Sequence, residues 1–219
     1  MILRCLKSVA RYVSVLAVVL LAQGCRSSNP VYDTLTHVLP WSKQYASLQP
    51  GFEYLWVSVD GRASVMALGS REMRGSDVHE HWYTGQGEML YVVNGRIQQA
   101  LGFTHELRHQ TGKLPTWVEL GQAPKNVQWT RQLDVMPGYR LGVQEYVVSS
   151  PIAEPSRLPD DVPPRAQWYA ESVNSTNANG LPWRYEQRFA RMNDRVVYSE
   201  QCLAPALCLK LRPLGVVVP

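Results

Sequence analysis

Residues 105–109 of this 219-residue chain read His-Glu-Leu-Arg-His, which is the HExxH pattern found in zinc hydrolases. On a helix, His105 and His109 would lie one turn apart and bind zinc, while Glu106 would activate a water molecule. The pattern therefore raises a zinc hydrolase as one hypothesis for the function.

The surroundings of this segment argue against that chemistry. Gly102 and Gly112 flank the segment, so a helix here would span only about two turns. Such a helix would contain one strongly apolar residue, Leu107. A third ligand is also needed, and nothing singles out Glu119 or Glu145 for the role. We therefore expect a polar loop, with no metal, no cofactor and no catalytic residue.

A second histidine pattern, His79-Glu80-His81, would place two imidazoles on one face of a strand. An exposed strand end explains it equally well, and His37 stands alone. The chain has no Gly-x-Ser-x-Gly motif and no phosphate-binding glycine loop. These absences favour a protein that is not an enzyme.

The first 25 residues carry an export signal. A basic start precedes an apolar stretch, residues 12–22, which is shorter than the about 20 residues that cross a membrane. The junction Gly24-Cys25 resembles a bacterial lipoprotein signal, in which the cysteine becomes acylated after cleavage. We expect lipidation of Cys25 and a signal peptide at 1–24, the alternative being an ordinary signal peptide. By resemblance to sorted lipoproteins, Arg26 favours the outer membrane.

Two further cysteines remain in an exported chain. Cys202 and Cys208 are separated by five residues that could turn between two strands, and the compartment would be oxidising. They form either a disulfide or two buried thiols.

Charge gives no reason to expect nucleic acid as a partner. The net charge of +4 falls to +1 when residues 1–24 are removed, because 19 basic side chains then remain against 18 acidic ones.

The six tryptophans in or beside the strands either pack in the core or stack on sugar rings: Trp56, Trp82, Trp117, Trp129, Trp168 and Trp183.

The remaining pattern predicts a mainly β protein. A short helix is expected within the anchored segment 25–49, and a single domain follows at 50–219. Asp60-Gly61 and Asn94-Gly95 predict tight hairpin turns. About ten short antiparallel strands indicate a sandwich or a (half-)barrel, and the Pro-rich segment 150–165 is expected to be a crossover within the domain. The predicted strands are 53–59, 62–68, 88–93, 96–101, 127–135, 139–149, 167–173, 183–190, 195–201 and 207–212.

Six segments of the chain carry a family resemblance: Leu39-Pro40, 54–61 (YLWVSVDG), 65–69, 82–84, 89–96 (MLYVVNGR) and a final block from 183 to 213. Together they resemble the YjbF/GfcB family of lipoproteins, which are associated with group 4 capsule and exopolysaccharide operons. The Asn-Gly-Arg turn within 89–96 is the most specific of these segments. In the family pattern the HELRH segment falls in a variable region.

The resemblance implies a periplasm-facing accessory protein of polysaccharide secretion, anchored by lipid in the outer membrane. Its expected partners are the membrane itself and an outer-membrane barrel or periplasmic secretion protein, with the polysaccharide as a further candidate. The alternative hypotheses are a carrier or acceptor of lipids or lipoproteins with an apolar cavity, and the zinc hydrolase above.

Overall fold

The computed structural model describes residues 48–123, 126–157, 159, 162–176, 182–205 and 207–216. They form twelve strands and one short helix, α1. The strands are β1 (Glu53–Val59), β2 (Arg62–Arg74), β3 (Asp77–Tyr83), β4 (Met89–Val93), β5 (Arg96–Leu101), β6 (Glu106–Thr111), β7 (Val127–Met136), β8 (Arg140–Ile152), β9 (Gln167–Thr176), β10 (Arg184–Met192), β11 (Arg195–Ala204) and β12 (Leu207–Val216), and α1 (Trp117–Gln122) lies between β6 and β7.

The strands form a closed antiparallel barrel in which each strand pairs with its neighbours in the chain, and β12 pairs with β1. The expectation of a mainly β, antiparallel fold is confirmed. A sandwich is wrong, because closure through β1 and β12 leaves one continuous sheet. The number of about ten strands is also too low, since β3 and β6 were not predicted.

Two of the predicted hairpins turn as the sequence indicates. Asp60 and Gly61 have φ angles of 49° and 77°, and Asn94 and Gly95 have φ angles of 49° and 82°. Two successive positive φ angles give the turn whose twist matches the flanking strands. The β1–β2 and β4–β5 hairpins are therefore confirmed.

The two ends of the barrel differ. At one end, which we call the helix end, β1 begins, Asn94-Gly95 joins β4 to β5, and the helix α1 joins β6 to β7. At the other, the far end, Pro137-Gly138-Tyr139 joins β7 to β8 and Pro205 follows β11.

The helix covers part of the barrel interior. Thr116 caps it, accepting from the backbone N–H of Glu119 while the Glu119 carboxylate accepts from the backbone N–H of Thr116. Trp117 and Leu120 are buried against Tyr169 and Phe189 of β9 and β10. The helix thus contributes core side chains at its own end of the barrel.

Most of the apolar core lies between the strands of β1–β7 and β11–β12. The largest cluster is lined by aliphatic side chains that alternate with outward residues along each strand, and includes Val57, Met66, Leu90, Ile97, Leu133 and Leu209. This core fixes the strands from which the polar interior residues project.

The Pro-rich segment joins β8 to β9, which are hydrogen-bonded neighbours. It is therefore a long loop between adjacent strands, and the expectation of a crossover is wrong. Its Val162 and Ala166 pack against Trp168, Ala190 and Tyr198. The loop thus shields an apolar patch of β9–β11.

The signal peptide, Cys25, the helix expected within 25–49 and His37 all lie outside the described residues. In the part of the chain that the structure describes, no helix is long and apolar enough to cross a membrane.

Candidate functional site

The HExxH segment adopts the wrong geometry for a zinc hydrolase. Residues Glu106–Thr111 form strand β6, so neither a helix nor the expected polar loop is present. A bulge interrupts the strand between Leu107 and His109. His105 lines a pocket at the far end, whereas His109 lines a separate cleft on the other side of β6. The two imidazoles are therefore not brought together.

The other members of this hypothetical site have structural partners. Glu106 accepts from the backbone N–H of Gly102 at 2.9 Å and pairs with Arg108 at 2.8 Å. These two contacts lower the pKa of its carboxyl group. Glu119 belongs to the helix cap and Glu145 to a buried ion pair. Among the described residues, no three His, Cys, Asp or Glu side chains are grouped as a metal would require.

The resemblance to capsule lipoproteins implies a role in polysaccharide secretion, and we expect Glu106→Gln to leave that role unchanged, because no water is activated at this position. The lost contact with Arg108 lies at the surface and should cost less than about 1 kcal/mol of stability. The measurement is the amount of surface polysaccharide in a strain carrying the variant, with protein abundance as control. Loss of secretion at normal abundance would revive the hydrolase hypothesis.

The His79-Glu80-His81 segment lies on β3, where both imidazoles flank Tyr91 of β4. Ring centroids are 5.8 Å apart for His79 and 4.7 Å for His81, and both pairs are stacked. The Nδ1 atom of His79 lies 2.5 Å from the Tyr91 hydroxyl, and that of His81 lies 3.1 Å from Ser70 Oγ. The pattern thus marks a strand whose histidines pack on an aromatic ring.

A cleft of about 590 Å³ opens beside this aromatic cluster, between β3–β6 and the segment that leads to the helix. Its wall is polar, with the amides of Gln98, Gln99 and Gln110 bonded to one another or to the backbone. These three amide groups therefore already have hydrogen-bond partners within the protein.

The Asn-Gly-Arg turn forms the centre of a hydrogen-bonded network at the helix end. The Asn94 side chain accepts from Val78 N–H at 2.9 Å, and its backbone carbonyl accepts from the Trp117 indole at 2.7 Å. The carbonyl of Gly95 accepts from Gln201 at 2.8 Å. A Cβ at Gly95 would lie 2.5 Å from Val196, so only glycine fits. This turn ties β3, α1 and β11 together.

Arg96, the third residue of the turn, is 3% exposed and forms an ion pair with Glu171 of β9, which is 1% exposed. The Nη2–Oε1 distance is 2.9 Å, and Nη1 donates to the carbonyl of Pro115. The guanidinium carbon also lies 3.7 Å from the centre of the Trp117 ring. Arg96 therefore connects β5 to β9, although Arg96 and Glu171 are 75 residues apart in sequence. It also connects these strands to the segment that leads into α1.

A second buried ion pair lies on the β7–β8 ladder. Arg131 donates to Glu145 at 2.6 Å, and the same carboxylate accepts from Trp183 at 2.8 Å and from Tyr185 at 2.7 Å. Burial raises the pKa of Tyr185, which therefore remains a donor. Burial alone would lower the pKa of Arg131, but its charged neighbours raise it. The interior thus carries paired charges, which disfavours the apolar cavity that a lipid carrier needs.

The far end holds a different kind of site, which we call the cationic pocket. It has a volume of about 470 Å³ and is lined by His105, Arg140, Arg184 and Trp183, together with three prolines and two small apolar residues. Arg140 lies over the Trp183 ring at 5.0 Å. No acidic residue is among the described lining residues. Sequence reasoning missed this pocket, because its residues come from four separate connections of the barrel.

The cysteines and tryptophans are placed as follows. Cys202 and Cys208 are joined by a disulfide across the β11–β12 hairpin. Five tryptophans are at most 9% exposed, so for them the core-packing interpretation is confirmed: Trp82, Trp117, Trp129, Trp168 and Trp183. Trp56 is half-buried, with Arg212 over its ring.

Comparison with known proteins decides the family. The model of the family described as "Group 4 capsule polysaccharide lipoprotein gfcB, YjbF" matches residues 39–212. The chain belongs to the YjbF family. No curated protein matches it significantly. Among solved structures it is similar to the crystal structure of the hypothetical lipoprotein YmcC from Escherichia coli (K12), with 16% identity and a TM-score of 0.63 over 88% of this chain and 100% of that chain. That likeness concerns the fold.

Membership of the YjbF family implies two properties of this chain. A capsule polysaccharide lipoprotein family implies attachment to a membrane through lipid. The family is also not one of known enzymes. The Asn-Gly-Arg turn, the most specific part of the resemblance, has a structural role in this YjbF protein, since Asn94 and Gly95 are half-buried and Arg96 is buried in an ion pair.

Proposed function

We propose that the protein is a non-enzymatic accessory factor in the secretion of capsule polysaccharide or a related exopolysaccharide. Lipid on Cys25 anchors it in the outer membrane, and the barrel faces the periplasm. The observation that carries this proposal is the family match, which spans residues 39–212 and so includes nearly the whole barrel. The barrel interior supports this proposal, since its buried Arg96–Glu171 and Arg131–Glu145 pairs stabilise the fold.

The proposed partner is an outer-membrane barrel or a periplasmic protein of the secretion machinery. The net charge of +1 after cleavage gives no strong field for recruitment, so recognition should rest on shape and local contacts. Aromatic residues suit such a contact. Among the described residues the exposed aromatic side chains are Phe52 and three tyrosines, of which Tyr139 in the β7–β8 turn is 75% exposed.

Deletion of the gene should reduce the polysaccharide at the cell surface, and a plasmid copy should restore it. A copy with Cys25→Ser should fail to restore it, because the protein would leave the membrane or remain unprocessed. The measurement is surface polysaccharide per cell, with membrane fractionation and mass spectrometry of the mature N-terminus as controls. Normal surface polysaccharide in the deletion strain, when the gene is normally expressed, would refute the proposal.

A further inference from the structure

We propose that the cationic pocket binds a carboxylate-bearing sugar residue, a uronic acid, of the secreted polysaccharide. The inference rests on the proposed function for the source of the ligand, but the chemistry of recognition comes from the pocket itself. Arg140, Arg184, His105 and Trp183 all line this pocket, and the Arg140 guanidinium lies over the Trp183 ring.

The charge of the pocket is unbalanced. Neither Arg140 nor Arg184 forms an ion pair with any described residue, although the arginines of the interior do. The residues that adjoin the pocket in sequence but lie outside the described part, 177–181 and Ala206, include no acidic residue. The Nδ1 atom of His105 is buried and has no hydrogen-bond partner among the described residues. The site therefore offers several donors that lack an acceptor, which suits an anion.

The backbone of the pocket favours a carboxylate over a phosphate. Phosphate sites are commonly built from backbone N–H groups of loops and helix ends. Three of the lining residues, Pro137, Pro182 and Pro205, have no N–H to offer. The guanidinium groups of Arg140 and Arg184 are the charged donors of the pocket, and their planar forks match a planar carboxylate in bidentate fashion.

The walls and size of the pocket suit a sugar ring attached to that carboxylate. The prolines and Val135 present apolar surface that can pack on the C–H face of a ring, and about 470 Å³ lies within the range of small-ligand sites. The floor is fixed, since the Trp183 indole donates to Glu145 and its backbone N–H donates to Ser175 Oγ at 2.9 Å. Little ordering is then needed when the ligand binds.

The test is calorimetric titration of the full mature lipoprotein in detergent with three probes: trigalacturonate, neutral maltotriose and inorganic phosphate. We expect trigalacturonate to bind at least about tenfold more tightly than the other two, and more weakly as salt is raised. Arg140→Ala and Arg184→Ala should each weaken binding about tenfold or more, and Arg140→Lys should be intermediate because it keeps the charge without the fork. Arg195→Ala, at the helix end, is the matched control and should bind as the wild type does.

Three results would overturn the inference: no binding by the wild type, equal affinity for a neutral sugar or phosphate, or unchanged binding in the Arg140→Ala/Arg184→Ala double variant. Thermal melting verifies that each variant is folded. The result is separable from the proposed function. A deletion strain that loses surface polysaccharide while the protein binds no uronate refutes the pocket alone. Uronate binding in a protein whose deletion leaves secretion normal refutes the secretion role alone.

Discussion

Replacing Arg96 with methionine is expected to lower the free energy of unfolding by about 3–5 kcal/mol. The substitution keeps an unbranched side chain but removes the guanidinium group, which leaves the carboxylate of Glu171, 1% exposed, without its cation. It also removes the donor to Pro115 and the cation over the Trp117 ring. Because Arg96 connects β5, β9 and the helix segment, the cost should fall on the whole barrel.

Urea unfolding followed by circular dichroism measures this effect, since a shift of the midpoint at constant slope reports a change in stability. The matched control is Arg188→Met, which removes a pair that is 48% and 46% exposed and should cost less than about 1 kcal/mol. The double variant Arg96→Met/Glu171→Gln should recover part of the loss, because the second change removes the unpaired charge. If Arg96→Met lowered the free energy of unfolding no more than the control does, the Asn-Gly-Arg turn would not be a structural centre of the barrel.

Replacing Glu145 with alanine is the second substitution with a large expected effect, again about 3–5 kcal/mol. Its carboxylate is fully buried and accepts from Arg131, Trp183 and Tyr185. Alanine leaves a buried guanidinium unpaired and two further donors without an acceptor. Glu145→Gln should cost less, since it keeps one acceptor oxygen in place.

The readouts for Glu145 are urea unfolding and near-ultraviolet circular dichroism. The near-ultraviolet signal should change in Glu145→Ala because Trp183 loses the bond that fixes its indole. Glu186→Ala, on the exposed side of β10, is the control and should alter neither reading. An unchanged midpoint in Glu145→Ala would mean that the buried pair with Arg131 contributes nothing to stability.

The hairpins could be predicted from sequence because Asp-Gly and Asn-Gly encode their turns locally. Strands β3 and β6 could not, since their His-Glu-rich segments lack clear apolar alternation. Those same segments carry the two histidine patterns, His79-Glu80-His81 and His105–His109. The helix was missed although Thr116 and Glu119 form a capping box, a signal that is readable from sequence.

The buried ion pairs and the cationic pocket could not be predicted from the sequence. Arg96 and Glu171 meet only because the barrel closes, and the sequence around either residue does not indicate its ion-pair partner. Arg140 and Arg184 likewise line one pocket although they begin different strands, β8 and β10. Pairings of this kind depend on strand order and register, which a single sequence does not reveal.

The distribution of polysaccharide between the cell surface and the cell interior in a deletion strain tests the central claim most directly. Metabolic labelling with a radioactive sugar, followed by fractionation, gives the ratio of retained to surface polysaccharide. A role in secretion predicts that this ratio rises, because precursor synthesis continues while export fails. A parallel fall of both pools, or a ratio equal to that of the wild type, would contradict it.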